Sequence, residues 1–385
     1  MAQLRVVVVG AGAFGGWTAL ELVRQGVKVT LIDAWGPGHA RASSGGETRI
    51  IRAGYGRRAI YTRMTVHALK LWRAHEERYG RTFFRHTGGL WLVGTNLGFG
   101  RDTFATLRSE DVRVEEFSVA DTRRRFPQID VRGIQYALFE PNAGYLLARL
   151  ACEHVAECVA IEGGEYRHAA VSAPQRVSNV LKSVQLQDGS RVEADAFVFA
   201  CGPWLAQLFP DVIGRRILPT RQEVFYFGTP AGDSRFGDRG MPVWIELGKR
   251  LMYGIPGNAN RGLKIADDTS GPAFDPTAGS RDITRRGLKT ARAYLRRRFP
   301  ALARAPLVGS EVCQYEATRD AHLVVDRHPR ASNVWIVGGG SGHGFKMGPA
   351  VGEMVAALVL GTAEPDRTFQ LARFGGRRAL SAKWD

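Results

Sequence analysis

Cysteine is scarce in this chain: four in 385 residues, at Cys152, Cys158, Cys201 and Cys313, with no CxxC pair. That excludes a small disulfide-stapled secreted scaffold, and it leaves no metal expected and a reducing cytoplasm as the expected compartment. No stretch of about 18 apolar residues occurs, so no membrane-spanning helix is expected. The opening Met1-Ala2-Gln3-Leu4-Arg5 runs straight into a hydrophobic segment without the charged leader and cleavage site of a signal peptide, and none is expected. Acidic residues are also short, 37 against 53 Lys and Arg, for a formal charge of +16. Such an excess suits nucleic acid, an acidic membrane surface or an anionic substrate. No nucleic-acid motif accompanies it, however. Its two densest runs, Arg123–Arg125 and Arg296–Arg298, each precede a Phe-Pro pair, where cations favour the carbonyl end of a helix. They are read as solvated faces, and neither a nucleic-acid nor a membrane partner is expected. Internal repeats and low-complexity linkers are lacking too.

What is present is an ordinary globular composition, 44% apolar and 23% charged, in a chain too long for one compact core. Leu4–Val9 is a β-branched run suited to a parallel strand buried on both faces. Gly10-Ala11-Gly12-Ala13-Phe14-Gly15 follows, then a helical pattern through Leu20, Leu22 and Val23, a stop at Gly26, and a second strand from Lys28 to Ile32. In this βαβ context Gly10 permits the tight turn, Gly12 lets the backbone approach a pyrophosphate, and Gly15 lets the helix pack closely on the strand. The helix N-terminus offers N–H groups and a positive dipole end to phosphates. Asp33, at the end of the second strand, stands where an acid holds ribose hydroxyls and opposes a 2′-phosphate, which argues against NADP. These residues alone do not separate FAD from NAD.

Farther along, a helix is predicted over Ile60–Tyr79, strands over Gly88–Gly94 and Gly133–Phe139, a helix over Tyr145–Ala160 and a strand over Arg191–Cys201. Strands dominate Gln222–Ile265, a helix covers Asp282–Arg298, and a buried strand at Val334–Val337 leads through a Gly-rich turn into a helix over Pro349–Leu360. Nucleotide-type elements therefore recur at both ends and in the middle, separated by antiparallel texture. The expected fold is α/β with an α+β second domain. A discontinuous Rossmann-type domain takes 1–84, 145–218 and 320–385, and a mixed or antiparallel-sheet substrate domain takes 85–144 and 219–319.

Several segments carry a specific resemblance. Ser43-Ser44-Gly45-Gly46-Glu47-Thr48-Arg49-Ile50-Ile51-Arg52, Ala200-Cys201-Gly202-Pro203-Trp204, Gly262-Leu263-Lys264, Cys313-Gln314-Tyr315 and Ser341-Gly342-His343-Gly344-Phe345-Lys346 together resemble the monomeric sarcosine oxidase and N-methyltryptophan oxidase family. They come in the same order and span nearly the whole chain. The resemblance implies FAD, and oxidation of the C–N bond of a small secondary, N-methyl or cyclic amino acid to an imine while O₂ becomes H₂O₂. The alternative is a dehydrogenase or biosynthetic imine-forming enzyme acting on a different amino acid, such as an aromatic one.

Carried over by position, Arg52 and Lys346 bind the substrate carboxylate, Lys264 activates dioxygen, and Tyr315, Tyr253 and Arg49 complete the catalytic wall. Cys313 is the implied thioether link to the flavin. The implied cofactor contacts further include Gly10, Gly12, Phe14, Gly15, Asp33, Ser44, Thr48, Arg49, Val171, Gly202 and Trp204. Gly342, His343, Gly344, Phe345 and Lys346 are placed along the flavin edge where negative charge develops on reduction. A monomer is expected.

The chain also departs from the pattern. Ser44 and Gly45 stand where the best-known members carry a histidine pair, and Asp267-Asp268 follows Gly-Leu-Lys where they lead to an active-site histidine. Trp244, counted back from Tyr253, falls where they line the pocket with a smaller apolar residue; it is read either as an aromatic pocket wall or as core.

Overall fold

The computed structural model describes residues 3–174 and 179–375. Two large sheets organise it. The first has six strands in the order Val324–Arg327, Val334–Gly338, Ala196–Phe199, Arg5–Val9, Lys28–Asp33 and Glu165–His168. Its pairs are parallel except the one between Val324–Arg327 and Val334–Gly338. Val6 to Val9 are all buried, as a central strand covered on both faces requires. One face carries the helices Ala13–Arg24, Ala148–Ile161 and Gly348–Val359, and the other packs Phe197, Phe199, Leu205 and Phe209.

The second sheet has eight strands, ordered Leu307–Ala317, Leu218–Phe227, Leu263–Asp267, Leu251–Ile255, Val243–Leu247, Gly89–Val93, Tyr136–Glu140 and Glu115–Phe117. It is antiparallel apart from the parallel pair Val243–Leu247 and Gly89–Val93. Helix Arg285–Arg298 covers one face, starting at Arg285 rather than Asp282 because the Thr284 hydroxyl accepts from Gly287 N–H at 2.9 Å and caps it. Between the two large sheets lies a three-stranded one, Thr48–Ile51, Gly144–Leu147 and Phe84–Arg85.

Three further expectations change. Tyr145 to Leu147 is strand, and the helix begins only at Ala148; Tyr145 pairs with both Ile50 and Arg85 across the small sheet, a tertiary partnership that overrides the helical pattern. The single strand over Arg191–Cys201 divides. Arg191–Glu193 pairs with Ser183–Gln185 in a two-stranded ribbon, and Ala196–Phe199 enters the first large sheet. Finally, Arg298 is no solvated cation. It is fully buried and forks onto Glu246, with Nε at 2.9 Å and Nη2 at 2.8 Å from the two carboxylate oxygens.

Candidate active site

A cavity of about 720 Å³ runs from the carboxyl ends of the first sheet to one face of the second. At its first end the chain turns at Gly10, where φ is +104° and a Cβ would stand 2.4 Å from the Ala200 carbonyl oxygen. Gly15 does not line the cavity; a Cβ there would meet Gly10 O at 1.8 Å, so its absence lets the helix sit down on the strand. Asp33 faces the same end. One carboxylate oxygen accepts from Ala11 N–H at 2.7 Å, and the other accepts from Trp35 and Gly36 N–H at 2.8 Å each. Ser44 Oγ accepts from Ala13 N–H at 3.0 Å, tying the 43–52 segment to the helix N-terminus. Gly12, Phe14, Val171, Gly202 and Trp204 complete this end, Trp204 donating from Nε1 to Thr277 Oγ1 at 2.8 Å.

The other end is walled by Arg49, Arg52, Ile245, Tyr253, Cys313, Tyr315 and the loop Gly342–Lys346. Arg49 donates to Ser43 O at 2.8 Å and Thr48 O at 2.9 Å, and its Nη2 lies 3.3 Å from Cys313 Sγ. Arg52 is buried, donates to Gly54 O, and lies 4.2 Å from the Tyr55 ring centroid and 4.9 Å from that of Trp91. Glu140 anchors the turn beneath it, accepting from Ala53 N–H at 2.7 Å, Gly54 N–H at 3.1 Å and Trp91 Nε1 at 2.7 Å. Lys346, also buried, donates to Tyr55 Oη at 3.0 Å and His343 O at 2.8 Å. His343 is held through Nε2, 2.8 Å from Ala321 O. Tyr315 donates to Asp268 Oδ1 at 2.7 Å, and burial with that carboxylate pushes its phenol well above the usual range.

Lys264 and Thr48 lie just behind this wall rather than on its surface. Lys264 is 1% exposed on a central strand of the eight-stranded sheet, donating to Thr48 O at 2.9 Å and Thr48 Oγ1 at 3.3 Å. Burial, reinforced by the Arg49 charge, lowers its pKa to about 7.

Trp244 is not part of the wall. It is fully buried on the opposite face of the second sheet, bonded through Nε1 to Tyr294 Oη at 3.0 Å and packed on Phe299, while its neighbour Ile245 lines the cavity. Successive strand residues alternate faces, so a count one position out exchanges core for pocket.

The structure also adds residues. Tyr55 lies beneath the two cations, and Glu316 lines the cavity with Oε2 buried and without a hydrogen-bond partner among the described residues. Burial raises the Glu316 carboxyl to about 7, partly offset by the Gly340 and Gly339 N–H groups. Alternation along the strand sets Glu316 opposite Cys313 and Tyr315, yet all three line the cavity, because the strand ends at Ala317 and the cavity wraps around its end. Asp267 and Asp268 line it too.

The glycine turn, the Asp33 carboxylate and an orphan acceptor on Glu316 suit a long dinucleotide that brings both phosphates and hydroxyl donors. A family model described as FAD dependent oxidoreductase matches residues 5–358. This chain belongs to that family. Among curated relatives of this FAD dependent oxidoreductase, the monomeric sarcosine oxidase of Bacillus sp. (strain B-0618) is 31% identical, covering 94% of this chain and 93% of the relative. N-methyl-L-tryptophan oxidase of Yersinia pestis (strain Pestoides F) is 27% identical, covering 96% and 99%. Among solved structures, L-proline dehydrogenase from P. horikoshii shares the fold with a TM-score of 0.84 at 22% identity, covering 97% of this chain and 98% of that one. No helix among the described residues is long and apolar enough to cross a membrane.

Proposed function

We propose that this FAD dependent oxidoreductase is an amine oxidase of the sarcosine oxidase type. It oxidises the C–N bond of a small secondary, N-methyl or cyclic amino acid to the imine, and the two electrons and two protons released reduce O₂ to H₂O₂. The carrying observation is that two buried cations, Arg52 and Lys346, face one cavity with Tyr253, Tyr315 and Cys313. A carboxylate leaving water needs paired charge and hydrogen bonds, which a guanidinium and an ammonium provide together. Bound flavin supplies the two-electron acceptor between amine and dioxygen.

The other residues hold and shape. Ile245 and Tyr253 exclude water from the C–N bond, and the Tyr315 phenol stays protonated with its proton directed at Asp268. Gly10, Gly12 and Asp33 hold the nucleotide half. Cys313 is the attachment point for a thioether, its sulfur 3.3 Å from Nη2 of the Arg49 guanidinium. The same reading assigns 1–84, 145–218 and 320–385 to the FAD domain and 85–144 and 219–319 to the substrate domain, although positions 1–2, 175–178 and 376–385 lie outside the described residues. It takes the enzyme as a cytoplasmic monomer.

The test is anaerobic addition of N-methyl and cyclic amino acids to the purified yellow protein, followed by air. Bleaching, then recovery with one peroxide per turnover, supports the proposal, and a protein unable to take up flavin sinks it. Colour retained in an acid pellet of wild type and lost from that of Cys313→Ala supports the covalent link.

One observation favours a second reading, a dehydrogenase with another electron acceptor: the Lys264 ammonium hydrogen bonds to Thr48 and does not reach the cavity surface. Peroxide yield against dye reduction separates the two.

A further inference from the structure

Helix Ala59–Tyr79 meets helix Ala148–Ile161 over a cluster of three side chains: His75, His154 and Cys158. None of them lines the flavin site. One nitrogen from each histidine and the Cys158 sulfur all lie within 4.8 Å of one another. His154 and Cys158 are four apart on one helix, so they share a face, with Sγ 3.4 Å from Nε2. His75 approaches from the facing helix, its ring centroid 5.2 Å from that of His154.

The second observation is an unmet hydrogen-bonding demand. His75 is 3% exposed, and neither of its ring nitrogens has a hydrogen-bond partner among the described residues. Its neighbours Trp17, Tyr79 and Phe83 pack against it as rings. An imidazole left unsatisfied in such a place costs on the order of 1 to 3 kcal/mol, which a metal bond would reverse. A thiol hydrogen bond between Cys158 and His154 satisfies that pair and leaves His75 as it is.

We infer that His75, His154 and Cys158 form a binding site for a single thiophilic d¹⁰ cation, with copper(I) as the charge-matched occupant and zinc(II) as the competing one. Two neutral imidazoles and one thiolate are soft to borderline donors that exclude magnesium and calcium. Metal–nitrogen and metal–sulfur bonds of about 2.0 and 2.3 Å put three donors around one ion roughly 3.5 to 3.8 Å apart, within reach of the observed spread by small side-chain rotations. One thiolate neutralises one Cu⁺, whereas Zn²⁺ leaves a buried positive charge and asks for a fourth ligand. On binding, the Cys158 S–H bond breaks, a sulfur–metal bond forms, and one proton leaves to solvent; no oxidant is needed.

The full-length flavoprotein is titrated anaerobically with Cu(I) against a chromophoric Cu(I) chelator, and separately with Zn(II). One equivalent of Cu(I) bound by wild type and by Cys152→Ser, with affinity at least about 100-fold weaker in Cys158→Ser, is the expected result. Cu(I) should raise the melting temperature of wild type and leave that of Cys158→Ser unchanged. The flavin spectrum reports folding throughout, and His75→Gln serves if Cys158→Ser does not fold. Tight binding of Zn(II) alone overturns the charge argument and keeps the site. Undiminished binding by Cys158→Ser and His75→Gln, or none by wild type, overturns the site itself.

Discussion

Lys346 donates a 3.0 Å hydrogen bond to the Tyr55 hydroxyl, and the ring of that tyrosine packs 4.2 Å from the Arg52 guanidinium carbon. One buried phenol thus sets the spacing of both cations assigned to the substrate carboxylate. Tyr55→Phe keeps the ring under Arg52 and removes the acceptor for Lys346. Loss of one such bond to a charged group amounts to about 1.5 kcal/mol, so KM for the amino acid should rise roughly tenfold with kcat little changed. Steady-state kinetics check this; an unchanged KM would detach Tyr55 from carboxylate binding.

Lys264→Met should lower the rate of peroxide formation by about 100-fold, the usual scale for removing one preorganised charge, while anaerobic reduction by substrate stays near wild type. Stopped-flow measurement of the two half-reactions separates them. Equal loss in both would assign Lys264 to the architecture around Thr48.

Because the Lys264 pKa lies at about 7, the ammonium is present below that pH and is lost above it. The oxygen half-reaction should therefore slow as pH rises through 7. Amine oxidation should instead quicken as the substrate amine loses its proton. Opposite slopes are the expected observation; parallel ones would contradict it.

Glu316 carries a stability prediction for protein freed of flavin. Its carboxyl is raised from an ordinary 4.5 to about 7, so between those values the folded state binds more protons than the unfolded one. Stability should then fall as pH rises through this window, by on the order of 3 kcal/mol in total. Glu316→Gln should remove that slope, melting higher than wild type at pH 8 and alike near pH 4. Identical melting curves across the range would refute it.

Arg298→Met should be costly although Arg298 belongs to a run of surface-looking arginines. It takes from Glu246, also buried, its two-pronged partner and leaves it the 2.7 Å hydrogen bond from Arg297, a loss of about 2 to 3 kcal/mol. Arg296→Met, two residues away but exposed, should change little. Chemical denaturation of the two variants measures the difference.

Much of the candidate site is legible in the sequence where it rests on short contiguous motifs. The tight turn at Gly10, the close helix approach at Gly15 and the strand end at Asp33 are legible because strand, turn, helix and strand are local events whose geometry follows from backbone sterics and side-chain period. Arg49, Arg52, Cys313, Tyr315 and Lys346 were named from their motifs, but nothing in those motifs says that they share one cavity. That convergence comes from the small sheet, the edge strand Leu307–Ala317 and the Gly-rich loop meeting across more than 260 positions of chain.

Other features were decided only by tertiary packing. Ile245 rather than Trp244 faces the cavity because strand register selects one face of a strand buried on both, and hydrophobicity does not record which. Tyr145 pairs as strand because Ile50 and Arg85 flank it. Glu316 meets the cavity because its strand stops there, and His75 meets His154 and Cys158 because two helices far apart in the chain cross at that point. The sequence by itself determined the local turns, periods and charged groups. Which of those groups stand together was decided by long-range contacts, whose energy depends on neighbours that no local pattern names.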